Sequence, residues 1–368
     1  MIGTFARSYD LAIIGGGIVG LWAARFASQA GRSVALIERG RIGDGASGGV
    51  LGALMPHQPV PWNEKKQTQF DALIELETLC RTLEGETGVP TGYRRVGRLT
   101  PITDQAQRDR QENWGQAARH NWQAGAAETF RWEVRDGADP WNVLSKRATS
   151  FGHAFDTLSA VVAPRKLLAA LRASIAGTVD VYEEVQPTCW DTASGTLALN
   201  NGTVGAGQLI VAAGAQTTDV LAVLGIAPAD TPAIEGVKGQ GALLLPRRPL
   251  PENMPLIYGD GVYLVPHIDG TLGLGSTTEK TWSEPFTTDR KLDDLIDRAV
   301  RLCPTLQDAI VLERWAHLRP KGPTANPVVE RIGDRAVMAS GGYKTGLAFA
   351  PSMARKALQL LEAGGPIR

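Results

Sequence analysis

The chain has 368 residues, 38 Lys and Arg balanced by 38 Asp and Glu, and three cysteines. Zero net charge leaves no electrostatic footprint for a nucleic acid or an anionic membrane surface, and the widely separated Cys80, Cys189 and Cys303 make neither a disulfide framework nor a zinc site. No run reaches the ~18 apolar residues of a membrane span and no apolar leader precedes the first strand, so a cytoplasmic protein is expected, long enough for two domains.

The first unit is the most informative. Leu11-Ala12-Ile13-Ile14 reads as a buried parallel strand, followed by Gly15-x-Gly17-x-x-Gly20 and a helix through Ala24 that ends near Gly31. In this spacing Gly15 permits a tight turn, Gly17 lets backbone approach a pyrophosphate, and Gly20 lets helix and strand pack closely. The helix directs its N-terminal N–H groups at the phosphates. Ser33–Ile37 is a second strand, closed by Glu38, about 20 residues past the glycines, where a carboxylate takes ribose hydroxyls. The glycine-rich stretch from Arg39 to Pro56 predicts a loop that brings its backbone close to a ligand.

Helical periodicity follows over Phe70–Glu86, then alternation typical of a strand over Tyr93–Ile102 and a polar helix from a cap at Asp104 to Gln123. Trp122, Trp132 and Trp141 mark a segment without clear periodicity, and with Trp62 and Trp114 they are expected in the core. Pro164–Ile175 is a helix with proline in its first turn. Short strands are expected at Val179–Val185, Thr188–Asp191 and Thr196–Leu199, with a hairpin at Asn200-Asn201-Gly202 and a buried strand over Gln208–Ala215. Ile234–Ser276 reads as β structure, Asp289–Leu302 as a helix, Val311–Leu318 as a strand, and Ala336–Gly346 as a strand and glycine turn leading into a helix over Pro351–Glu362. A nucleotide-type unit thus opens and closes the chain, with antiparallel β between. That predicts a mixed α/β (α+β) fold of two interleaved domains.

Four separated patches carry a resemblance. They are the N-terminal unit with Glu38-Arg39 and Gly45-Ala46-Ser47; Leu209–Ala215; Tyr263-Leu-Val-Pro266 with Gly273–Glu279; and Leu318-Arg319-Pro320 with Gly341–Pro351. Together they resemble flavoproteins of the D-amino-acid oxidase type, most of all glycine oxidase and sarcosine-oxidase-like amine oxidases. The resemblance implies a Rossmann-like FAD-binding domain formed by 1–90, 150–215 and 316–368, interleaved with a substrate domain formed by 91–149 and 216–315. It implies FAD, held without a covalent bond, since no cysteine lies near the last glycine turn. The implied cofactor residues are Gly15, Gly17, Ile18, Val19 and Gly20; Glu38 and Arg39; Ala46, Ser47, Gly52 and Leu54 of the loop; and Val185, whose backbone would meet the adenine. Ala213 and Gly214 would lie near the pyrophosphate, and Gly342, Lys344, Thr345, Gly346 and Leu347 would face the isoalloxazine.

On the substrate side the resemblance implies that Arg319 grips a carboxylate, which a guanidinium does with two parallel hydrogen bonds. Tyr258 and Tyr263 are candidates for a further hydrogen bond or for walls over the flavin. Lys344 stands where such proteins often carry arginine, and Thr278 is expected to make the pocket more polar. His267 is expected to be structural, and His57 follows the flavin loop. The implied reaction oxidises a small amino acid or N-alkyl amino acid by hydride transfer from the α-carbon to flavin N5. The imine hydrolyses, and oxygen or another acceptor takes the electrons. A quinone- or carrier-linked dehydrogenase, a tRNA-modifying oxidase and a flavoprotein subunit of a larger complex remain alternatives, and an oligomer is left open. A flavin hydroxylase fits less well, because the mid-chain strand ends Ala213-Gly214-Ala215 without an Asp-Gly.

Overall fold

The computed structural model describes residues 7–125 and 128–363. The outermost parts of the expected nucleotide-binding unit, 1–6 and 364–368, lie outside the described residues. Its first sheet has a parallel centre in the order Val179–Tyr182, Val34–Ile37, Ser8–Ile14, Gly202–Val211 and Ala336–Ser340. Along Ser8–Ile14 the side chains alternate between two cores. Leu11 and Ile13 pack under the helices Ile18–Gln29, Glu64–Thr87, Pro164–Ser174 and Gly346–Glu362, while Ala12 and Ile14 face the opposite side with Trp190, Leu197 and Leu221. The apolar run Leu11–Ile14 is what two covered faces require.

The second sheet has eight strands, ordered Ile310–Lys321, Glu235–Leu245, Leu272–Gly275, Val262–Pro266, Leu256–Gly259, Arg98–Pro101, His153–Asp156 and Trp132–Arg135. All neighbours are antiparallel except Leu256–Gly259 with Arg98–Pro101. Its outer face is covered by the Arg290–Leu302 helix through Leu292, Leu295 and Ala299. The strands His153–Asp156 and Ile310–Lys321 both run in this sheet, so it takes in chain on both sides of positions 150 and 316.

Glycines dock the loop after Glu38 against this second sheet. A Cβ on Gly273 would lie 2.1 Å from the Val50 carbonyl oxygen, and one on Gly275 would lie 2.5 Å from Leu51. The tryptophans pack as expected: Trp132 contacts Trp114 edge-on at 5.3 Å and Trp122 at 5.8 Å, within a cluster that includes Phe70 and Phe130.

Several elements differ from the sequence reading in extent. The Phe70 helix begins six residues earlier, at Glu64, where Asn63 caps it by accepting from the Lys66 N–H. The expected 93–102 strand is confined to Arg98–Pro101, because Gly97 has φ +72° and packs against the Asp156 carbonyl. The final helix starts at Gly346, so Pro351 lies within it rather than at its start. A short helix, Thr217–Val223, and an edge strand, Val328–Arg331, carry no periodic signal long enough to read in advance.

Candidate active site

A cavity of about 1060 Å³ lies between the carboxyl ends of the parallel strands and the inner face of the second sheet. The first glycine turn forms one wall. Gly15 has φ +111°, and a Cβ there would sit 2.4 Å from the Ala212 carbonyl oxygen. A Cβ on Gly20 would sit 1.9 Å from the Gly15 carbonyl oxygen. Gly17 is the N-cap of the Ile18–Gln29 helix and brings no side chain to cap it. Ser47, from the loop, accepts the Ile18 N–H at 3.0 Å instead. Glu38 accepts from the Gly16 N–H at 2.7 Å and the Gly40 N–H at 2.8 Å, which fixes its carboxylate at the cavity edge.

A second helix N-terminus opens on the same cavity. Lys344, Thr345, Gly346 and Leu347 line it, and the Gly346–Glu362 helix has no side-chain cap. Two helix starts that open on the cavity, neither capped by its own N-cap side chain, an acidic group beside the first glycine turn and glycines that exclude any Cβ fit a dinucleotide with two phosphates and a ring system that gains negative charge.

Arg319 reaches the cavity from the Ile310–Lys321 strand. Both terminal nitrogens donate to the Thr277 carbonyl, at 3.2 and 3.1 Å. No carboxylate of the described residues forms a salt bridge with it. Burial pushes its pKa down from the ordinary arginine value, opposed by Tyr343, Tyr263 and Glu279. Gly239 makes this placement possible, since a Cβ there would collide with the guanidinium, 1.9 Å from Nη2. Tyr258 and Tyr263 both line the cavity with ring centroids 4.6 Å apart, and burial, with Tyr258 beside it, pushes the Tyr263 hydroxyl well above its usual range. Lys344 is held below the ordinary lysine range by desolvation and by Arg319. Tyr343 takes φ +46°, uncommon for a non-glycine residue, and its N–H donates to Pro320 at 2.9 Å, which keeps it beside Arg319.

The residues read from sequence thus converge, with three exceptions. Val185 does not line the cavity: it is buried behind it, its N–H donating to the Glu38 carbonyl at 3.0 Å, and Gln186 and Pro187 line the wall instead. Gly20 lies beneath the turn and acts through packing alone. Thr278 is exposed and lines a separate surface depression, so it adds no polarity to the cavity. His267 is structural, contacting the Leu51 carbonyl at 2.9 Å through Nε2.

The structure adds lining residues that sequence reasoning missed: Arg98, Gln69, Trp315, His317 and Tyr343. His57 also faces the cavity. Its Nδ1 is buried without a partner, and burial, followed by Lys65, lowers its pKa. Only the alternation of Trp315, His317 and Arg319 along one strand offered a signal for any of these.

Comparison with known proteins agrees with this geometry. Glycine oxidase of Pseudomonas aeruginosa is 27% identical over 98% of this chain and 96% of that protein. Glycine oxidase of Geobacillus kaustophilus is 26% identical over 93% of this chain and 90% of its own length. The crystal structure of the glycine oxidase from Geobacillus kaustophilus superposes with a TM-score of 0.84 at 22% identity, covering 98% of this chain and 96% of that one. Among the described residues no helix is long and apolar enough to cross a membrane. Residues 10–360 match the family profile described as FAD dependent oxidoreductase (DAO), and the chain belongs to that family of FAD-dependent enzymes.

Proposed function

We propose that this enzyme oxidises a small amino acid or N-alkyl amino acid, with Arg319 holding the substrate carboxylate. The observation that carries this reading is a half-buried guanidinium, facing the cavity, that shares one carbonyl and has no carboxylate partner among the described residues. Such a group needs an anion, and the bidentate fork suits a carboxylate. The glycine oxidases with which the chain aligns over nearly its whole length support the same substrate class.

In this reading Gly15, Gly17, Ile18, Val19 and Ser47 hold the pyrophosphate region and Glu38 the adenosine ribose. The Ala46–Leu54 loop lies along the flavin. Ala213 and Gly214 close the wall opposite the first turn. FAD, when bound, would supply a two-electron acceptor for the hydride of the substrate α-carbon, with oxygen as the final acceptor and hydrogen peroxide as its product. Arg319 fixes the α-carbon by fixing the carboxylate. Tyr258 and Tyr263 wall the substrate in and exclude water, and the uncapped helix start at Lys344–Leu347 favours negative charge at its tip. The resulting imine hydrolyses in solvent. We take the cytoplasm as the compartment, supported by three cysteines that are all free thiols in the structure.

The test is a screen of glycine, sarcosine, proline and D-amino acids with the purified yellow holoenzyme under air, reading peroxide, repeated with an artificial electron acceptor. Peroxide formation supports an oxidase. Dye reduction without peroxide would identify a dehydrogenase, and no turnover with either acceptor would overturn the reading.

A further inference from the structure

We propose that the cavity takes an amine bearing two carboxylates, the first on Arg319 and the second on Arg98. This rests on the amine-oxidation reading and names its substrate class. Arg98 is only 5% exposed, yet it lines the cavity. Its Nε donates to Asp156 Oδ2 at 2.7 Å, and its guanidinium lies 4.7 Å from the centre of the Trp132 ring. Asp156 is fixed in turn by the Ser159 N–H at 2.8 Å and the Ser159 hydroxyl at 3.0 Å. The position of Arg98 is therefore set from behind and from one face.

Its two terminal nitrogens have no hydrogen-bond partner among the described residues, since the pair with Asp156 is made through Nε alone. A cavity-lining guanidinium whose terminal nitrogens are open can be completed by a bound acceptor. A carboxylate is the acceptor that uses both nitrogens at once.

Both arginines line the same cavity, on either side of Tyr263 in the strand order. Arg98 and Arg319 lie in the same sheet with four strands between them, and Tyr263 stands on one of those strands. Both guanidiniums act on the Tyr263 hydroxyl, each favouring its ionised form. The three carboxylates that line the cavity, Glu38, Asp44 and Asp219, come from the loop after the second parallel strand and from the Thr217–Val223 helix, not from the second sheet. The substrate end therefore offers two carboxylate-binding forks on one sheet face and no lining carboxylate from that sheet.

The experiment measures binding and turnover separately on the holoenzyme. Calorimetry compares succinate with acetate, and peroxide assays compare aspartate with alanine, both enantiomers of each. We expect succinate to bind at least about tenfold more tightly than acetate, and the aspartate-to-alanine ratio of kcat/KM for the active enantiomer to exceed about ten. Arg98→Lys keeps a cation beside Asp156 but removes the fork, and should cut both ratios at least about tenfold. Because Arg98→Lys could unfold the sheet, thermal melting accompanies it, and the wild-type ratios stand as a test without any variant. Equal binding of succinate and acetate, or an Arg98→Lys variant that is folded and keeps both ratios, would overturn the proposal. Succinate selectivity without oxidation of any amine would support the two-fork site and refute the oxidase reading alone.

Discussion

Arg319→Ala is the most exposing substitution. The guanidinium makes two contacts of 3.1–3.2 Å to a single carbonyl and lines the cavity. Removing a bidentate carboxylate partner costs ~2–4 kcal/mol of binding, or roughly a 30- to 900-fold loss in kcat/KM, expressed mainly as a higher KM. The folding side has the opposite sign. A half-buried cation without a carboxylate partner carries desolvation that its neighbours only partly offset, so its loss should leave the melting temperature unchanged or raise it. The flavin content should also hold, because Arg319 stands on the sheet opposite the glycine turn. Gly239→Ala gives an independent handle. Its methyl would occupy the guanidinium's place and should reproduce much of the KM effect with Arg319 still present. The assays are steady-state kinetics, flavin absorbance and thermal melting on each variant. An unchanged KM, or a loss of activity that tracks lost flavin and a lowered melting temperature, would refute the assignment.

Gly20→Ala should yield protein that loses its flavin on gel filtration, because the added Cβ falls 1.9 Å from the Gly15 carbonyl oxygen and must separate turn from helix; retention of stoichiometric flavin would contradict this. Stability should fall in acid through Glu279. Its burial raises the pKa, but the Lys291, Thr277 and Gln240 hydrogen bonds outweigh it and hold the folded value below the ordinary one. Its contribution is therefore fully present above the unfolded value, ~4.3 for glutamate, and is lost as pH falls through the folded one. Denaturant titrations of Glu279→Gln and wild type should diverge at pH 7 and converge only as pH falls through the lowered folded value, and a gap that stays constant from neutral pH into acid would remove Glu279 from the account. Thiol titration at pH 8 should find one fast cysteine, the exposed Cys189. Burial pushes the Cys80 thiol up to about 12, and Cys303 is likewise buried and raised. Two fast thiols in folded protein would show that one of those cores opens.

Much of the cofactor side was legible because its signals are local. A strand, a turn that only glycine can make, a helix start and an acid about 20 residues on occupy one continuous stretch, and each residue's role follows from backbone sterics. The same holds for the Asp104 and Pro164 helix starts, where a cap or a proline acts within one turn. That Gln186 and Pro187 rather than Val185 line the cavity depends on which part of the strand's exit faces it, a detail that no local signal encodes.

By itself the sequence determined the nucleotide-type unit and the mixed α/β class, since these rest on spacing along the chain, while Arg319 was singled out through the family resemblance of the Leu318-Arg319-Pro320 patch. The tertiary structure alone decided what surrounds that arginine. Gly239 clears its place from the neighbouring strand, Thr277 supplies its carbonyl, and Tyr343 is held beside it by Pro320. These residues are brought together by strand order in a sheet whose neighbours are distant in sequence. Periodicity predicts which residues share a face of one strand, but not which strands lie side by side.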